Sequence, residues 1–256
     1  RAPRTSSTAD AMPGTAPQDR LIVALDMPTA EEARRLIALL GDTVTFYKIG
    51  LELLFAGGLD LARDLRHQGK RVFLDMKLLD IGNTVERAVA NAAELDVTFL
   101  TVHGQDLKTL RAAVSGRAGG KVKLLAVTVL TNLSADDLAQ QGATLSPAEL
   151  VLRRAEMAYA AGFDGVIASG QEASRIRAAT GPNFLIVTPG IRLPGGTTDD
   201  QERVMTPDHA IMAGANHIVV GRPITQADDP KLAAETFVHH IREALTKSAA
   251  DPSGPH

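Results

Sequence analysis

Arg71-Val-Phe-Leu-Asp75-Met-Lys77-Leu-Leu-Asp80-Ile-Gly-Asn-Thr84 starts apolar, ends in charges and leads into the amphipathic stretch Val85–Leu95. A short aliphatic and aromatic run reads as a buried strand, and the stretch after it has helical spacing. The same unit recurs on both sides. The strand expectations are Leu21–Leu25, Val44–Lys48, Arg71–Met76, Phe99–Val102, Leu124–Thr128, Gly165–Ala168, Phe184–Thr188 and His217–Val220. The helix expectations are Ala30–Leu40, Leu59–Gln68, Val85–Leu95, Leu107–Gly116, Pro147–Ala161, Glu172–Ala179, Pro207–Ala213 and Lys231–Thr246. Gly69, Gly162 and Gly214 fall where helix C-caps belong. Apolar strands alternating with helices imply a parallel sheet buried on both faces. Eight such units within one domain length favour a closed α/β (β/α)8 TIM barrel. An open doubly wound sheet would bring a glycine-rich loop after the first strand. Here that strand ends in Leu25-Asp-Met-Pro28, without glycine.

The chain has 256 residues, 45% of them hydrophobic, enough for one such barrel. No internal linker divides it, so residues 20–248 are expected to form a single domain. Residues 1–19, rich in Ala, Pro, Ser and Thr, and residues 249–256 are expected to be disordered tails. The net charge of −3 gives no sign of a nucleic-acid binder, so an anionic ligand must be held by a local cluster of donors. Cysteine is absent, which removes disulfides, thiolate metal sites and cysteine nucleophiles. This fits a reducing, cytoplasmic setting. No apolar run reaches the roughly 18 residues of a membrane span.

In a barrel of this kind chemistry sits at the strand C-termini. The first strand ends in Asp26, the second in Lys48, the third in Asp75 and Lys77, and the fourth in His103. Asp75 and Lys77 are two apart, so regular alternation puts them on one face. Lysines interleaved with Asp26, Asp75 and Asp80 form an alternating network that keeps both ammoniums charged and fixed. Taken singly, Asp26 and Asp80 would each be read as a helix N-cap, and Asp75–Lys77 as a structural ion pair. His103 receives no role. His239 and His240 read as surface residues. A second constellation is Thr188-Pro-Gly-Ile-Arg192, then Gln201, then Val220-Gly-Arg-Pro223. The loops after strands seven and eight are the usual phosphate site of such barrels. Gly221 lets a backbone N–H approach an anion, and Arg222 offers a fork of donors. Gly195–Thr198 reads as the mobile loop.

Asp75-Met-Lys-Leu-Leu-Asp-Ile-Gly-Asn-Thr84 resembles the D-x-K-x-x-D-I-x-N-T signature of the orotidine 5′-monophosphate decarboxylase family. Further segments match in order: Ala24-Leu-Asp26, Phe46-Tyr-Lys48, Val102-His103, Val127-Thr-Val-Leu-Thr131, Thr188–Arg192 and Val220–Pro223. The resemblance implies conversion of orotidine 5′-monophosphate to uridine 5′-monophosphate and CO2, the last step of de novo pyrimidine synthesis, with no metal and no organic cofactor. It implies a homodimer with shared sites. Lys77 would protonate C6, Asp75 would stand beside the leaving carboxylate, and Lys48 and Asp26 would hold the ribose. Asp80, Ile81 and Thr84 would reach the partner's site. Thr131 and Pro189 would line the pyrimidine pocket, and Gln201, Gly221 and Arg222 would hold the phosphate, with Arg192 nearby. Leu79 stands where many members have His, and Gly82 where many have Pro, which marks a subgroup. The competing expectations are a Mg²⁺-dependent sugar-phosphate decarboxylase or aldolase of the same superfamily, and a non-catalytic phosphate-binding barrel. The resemblance gives the Mg²⁺ enzymes an acid in place of Lys48, so Lys48 disfavours them.

Overall fold

The computed structural model describes residues 16–194 and 205–250. Its strands are β1 Leu21–Ala24, β2 Phe46–Ile49, β3 Arg71–Leu78, β4 Phe99–His103, β5 Lys123–Val127, β6 Gly165–Ile167, β7 Leu185–Thr188 and β8 His217–Val220. All neighbours are parallel, and β8 pairs back onto β1 through Ile22↔Val219, closing the barrel. The helices are α1 Ala30–Leu40, α2 Leu51–Leu53, α3 Leu59–His67, α4 Gly82–Glu94, α5 Leu107–Arg117, α6 Ala135–Gln140, α7 Pro147–Ala161, α8 Gly170–Thr180, α9 Pro207–Met212, α10 Arg222–Thr225 and α11 Pro230–Ala250. The eight expected strands are all present, seven of them shifted by one or two residues at an end and β8 as expected. The turns α2, α6 and α10 are too short to show a period and were not expected.

Alternation along each strand divides the apolar residues between two cores. Ile22, Phe46, Phe73, Phe99, Leu125, Val187 and Val219 fill the barrel. Leu21, Val23, Tyr47, Val72 and Leu74 point outward to the helices. Both faces are dry, which is why the strands read as continuous apolar runs. Gly162 caps α7 with φ +92°, and Gly69 and Gly214 also lie at positive φ just past their helices. The helices also approach closely: a methyl group on Gly116 of α5 would lie 2.2 Å from the Glu86 carbonyl oxygen of α4.

Of the expected tails, residues 1–15 and 251–256 lie outside the described residues; residues 17–19 and 249–250 belong to regular elements. Pro17–Arg20 form a 3₁₀ turn against the barrel floor, and α11 continues to Ala250. The Asp19 carboxylate accepts from the Arg71 guanidinium at 2.6 Å. A charge pair of such long sequence separation has no local signature. Above it, the Arg71 guanidinium carbon stands 4.5 Å from the centroid of the Phe46 ring. His217 packs edge-on against Phe46 and Phe99, with centroids 5.9 and 5.2 Å away. Its Nδ1 is buried with no hydrogen-bond partner among the described residues. Burial, then Arg71, Arg20 and Lys123, push the imidazole down from 6.5 to about 3.

His217 therefore stays neutral in the fold while the unfolded chain protonates below pH 6.5. Its contribution to stability is complete above pH 6.5 and lost as pH falls towards 3, by about 1.4 kcal/mol per pH unit. Replacing His217 by Phe should flatten the decline of melting temperature between pH 6.5 and 4.5. Equal slopes in the two proteins would contradict this.

Candidate active site

One end of the barrel carries the charges. Asp26 follows β1, Lys48 lies in β2, and Asp75 and Lys77 lie in β3. Pairing holds the first two together: the Leu25 N–H donates to the Lys48 carbonyl at 2.9 Å. Lys48 Nζ is 3.1 Å from Asp26 Oδ1 and 3.4 Å from Asp75 Oδ2. Lys77 Nζ donates to the same Asp75 Oδ2 at 2.8 Å. A methyl group on Gly50 would lie 3.2 Å from Asp26 Oδ1 and 3.3 Å from Lys48 Nζ, so its missing side chain leaves room for this pair.

Lys48 and Asp75 are each 9% exposed, so water supplies little of their solvation. For Asp75, burial is the largest effect and raises the carboxyl. Lys48 and Lys77, with hydrogen bonds from Lys77 and Thr101, together outweigh it and hold Asp75 below the usual carboxylate range. For Lys48, burial alone would lower the ammonium. Asp75 and Asp26 reverse that and raise it. The arrangement keeps both buried groups ionised.

Two expectations are corrected. Regular alternation does not bring Asp75 and Lys77 together. The β3–β4 register jumps from Leu74↔Leu100 to Leu78↔Val102, so β3 carries two extra residues there. Lys77 sits in this bulge with φ +49°, which for a residue with a Cβ costs on the order of 1–2 kcal/mol. The bulge re-aims the side chain to its partner. Within its own chain Asp80 does not reach the Asp75–Lys77 pair. It is exposed, and its Oδ1 accepts from the adjacent Ile81 N–H at 2.6 Å. Neither Asp26 nor Asp80 caps a helix. Thr29 caps α1 through its side chain, and the N-cap position of α4 is Ile81, with no side-chain cap.

A cavity of about 460 Å³ opens on this rim. It brings together Asp26, Lys48, Asp75, Lys77, Thr131, Pro189, Arg192, Gly221 and Arg222. Such a volume suits a nucleotide-sized ligand. Arg192 is 7% exposed, and one of its guanidinium nitrogens donates to the Ile191 carbonyl at 3.0 Å. Gly221 immediately precedes the short helix that Arg222 begins. Asp80, Ile81 and Thr84 are exposed and do not line the cavity. Gln201 and Gly195–Thr198 lie outside the described residues. His103 stands half-buried at the end of β4, lowered by burial and then by Lys77 and Arg154, and does not line the cavity.

Sequence reasoning missed several participants. Thr225 and Gln226 line the cavity from a short turn that has no period to read. Val127, Leu130, Ile167 and Gly190 give it apolar walls. Thr101 did leave a signal: it is a hydroxyl inside the apolar run of β4, two residues beyond the inward-facing Phe99. Among the described residues, no three His, Cys, Asp or Glu side chains are arranged to hold a metal ion. The Lys48 ammonium itself lies between the Asp26 and Asp75 carboxylates.

A family model described as orotidine 5′-phosphate decarboxylase / HUMPS family matches residues 19–237. An orotidine 5′-phosphate decarboxylase of Methylorubrum extorquens (strain PA1) is 55% identical over 234 residues, 91% of this chain and 100% of that protein. One from Rhodopseudomonas palustris (strain BisA53) is 53% identical over 229 residues, covering 90% of this chain and 97% of that one. The crystal structure of orotidine 5′-phosphate decarboxylase from Lactobacillus acidophilus superposes with a TM-score of 0.78 at 40% identity, over 86% of this chain and 98% of that one.

Replacing Lys48 by Met removes one of the two charges that compensate Asp75. Stability should fall by about 1–3 kcal/mol in chemical denaturation at pH 7. The pH window follows from the shifts. Asp75 is lowered from 3.8, so its contribution is present above that pH and lost as pH falls through its folded value. Lys48 is raised from 10.5, so its contribution holds below that pH and is lost as pH rises through its folded value. The Met variant should lose the alkaline part of this dependence.

Proposed function

This chain belongs to the orotidine 5′-phosphate decarboxylase / HUMPS family, and we propose how its rim cavity decarboxylates orotidine 5′-monophosphate to uridine 5′-monophosphate and CO2. The observation that carries the reading is the chain of alternating charges Asp26–Lys48–Asp75–Lys77, which ends in a lysine at the cavity wall. In a closed barrel of eight strands, the ends of β3 and β7 lie across the mouth from each other. The substrate's reacting carbon is assigned to the β3 side and its phosphate to the β7–β8 side.

On that assignment Arg222, Arg192 and the Gly221 N–H hold the phosphate, with Gln201 as a further donor. Asp26 and Lys48 bind the ribose hydroxyls, and Thr131 and Pro189 bound the pyrimidine. When the bond from C6 to the carboxylate breaks, CO2 departs and its electron pair stays on C6. The ring delocalises that pair poorly. A fixed ammonium stabilises the charge as it develops, and no reorganisation is needed at that moment. Lys77 then transfers one proton to C6, completing the C–H bond, and recovers a proton from solvent. Asp75 holds Lys77 in place and stands beside the departing carboxylate. The grip on the remote phosphate contributes binding energy that is spent at C6.

Lys48 separates this reading from a Mg²⁺-dependent sugar-phosphate enzyme. Its ammonium lies between the two carboxylates and would repel a divalent cation. Asp80, Ile81 and Thr84 support a shared site. They surround the catalytic strand's exit yet turn away from its own cavity, and Ile81 is 73% exposed. We assign them to the cavity of a second copy in a homodimer. No described helix is long and apolar enough to cross a membrane. A cytoplasmic location is the reading that the cysteine-free composition supports.

Turnover, followed as loss of orotidine 5′-monophosphate absorbance, should survive excess EDTA; inactivation by the chelator would overturn the metal-free assignment. Lys77→Ala should fold, bind uridine 5′-monophosphate and lose at least about 1,000-fold in kcat. Mixing inactive Lys77→Ala and Asp80→Ala chains should restore activity, because each heterodimer regains one site with both residues intact. Without recovery, the shared site is wrong.

A further inference from the structure

We propose that Thr101 is a positioning residue for both members of the Asp75–Lys77 pair; this rests on Lys77 being the proton donor. Thr101 lies in β4, fully buried and outside the cavity lining. Its hydroxyl donates to Asp75 Oδ1 at 2.9 Å. The Thr101 hydroxyl oxygen in turn accepts the Lys77 backbone N–H at 3.0 Å. A hydroxyl has one donor and two acceptor sites, so both bonds form at once.

The bulge gives these contacts their meaning. Over the interval where β3 gains two residues on β4, the regular ladder cannot pair every backbone group. The Lys77 N–H is one that loses its ladder partner, and Thr101 supplies the replacement. This bond holds the left-handed backbone from which the Lys77 side chain departs. The other bond fixes the orientation of the carboxylate. With Oδ1 occupied by Thr101, Oδ2 faces both ammoniums, Lys77 at 2.8 Å and Lys48 at 3.4 Å. One hydroxyl therefore sets the backbone under the acid and the rotation of its counter-ion. A displacement of the acid by a few tenths of an ångström affects proton transfer more than it affects binding of a substrate held elsewhere.

The test uses Thr101→Val, which keeps the shape and removes the hydroxyl, and Thr101→Ser, which keeps the hydroxyl. In steady-state decarboxylation the valine protein should lose about 10- to 100-fold in kcat, with KM within about threefold of the parent. The serine protein should stay within about threefold on both. A valine protein with parental kcat, one changed in KM alone, or a serine protein as impaired as the valine one would each overturn the proposal. Should the valine chain not fold, Thr101→Cys carries the same comparison, since a thiol fills similar space with far weaker hydrogen bonds. Lys77→Ala in the same assay separates the two levels. If it is inactive while Thr101→Val is normal, only the role of Thr101 falls. If it turns over normally, the assignment of Lys77 falls as well.

Discussion

A single buried carboxylate, Asp75, organises the rim. Two ammoniums share its Oδ2, and a hydroxyl takes its Oδ1. Taking such a group out of water costs several kcal/mol unless its charges and lone pairs are met. The partners come from β2, β3 and β4, and Asp26 completes the chain from the end of β1. No short segment could assemble them. The closed barrel is what brings four consecutive strand ends within hydrogen-bond distance, so fold and charge network are conditions for each other.

The two ends of the barrel solve burial in opposite ways. At the floor, Phe46, Phe99 and the neutral His217 pack edge to face, and Arg71 reaches out to Asp19. That end contributes stability. At the rim the same strands carry ionised groups with few partners beyond each other, and the backbone of β3 is held in a strained bulge. Strain of this kind persists only where neighbours determine it, as the Thr101 hydrogen bond does here. A rigid floor makes a strained rim tolerable.

How much was legible in the sequence follows from the range of each signal. Strand and helix placement depends on periods of two and 3.6 residues, so the barrel and its order could be read directly. The charges Asp26, Lys48, Asp75 and Lys77 stood out because charge is rare at the ends of apolar runs. The bulge was not legible. It is a mismatch between two strands, and either strand alone looks regular. The Arg71–Asp19 pair was missed for a similar reason, since 52 residues separate its members. Asp80 shows a subtler limit. Its spacing after Lys77 suggested the same network, but β3 ends at Leu78 and within one chain the carboxylate is exposed, so spacing alone does not say whose site it serves.

The charge carried by the cavity also bears on turnover. The chain as a whole is acidic, at −3. The described cavity lining is locally basic: Lys48, Lys77, Arg192 and Arg222 face two carboxylates, Asp26 and Asp75. The excess of positive charge concentrates an anionic substrate at the mouth. Orotidine 5′-monophosphate brings a phosphate of about −1.5 to −2 and a carboxylate. Decarboxylation removes the second as neutral CO2. The product then carries one negative charge fewer against the same cations, and on the proposed assignment Lys77, once reprotonated, faces Asp75 again. An electrostatic field that attracts the substrate thus holds the product less strongly, which on the proposed assignment favours release once the proton has been delivered.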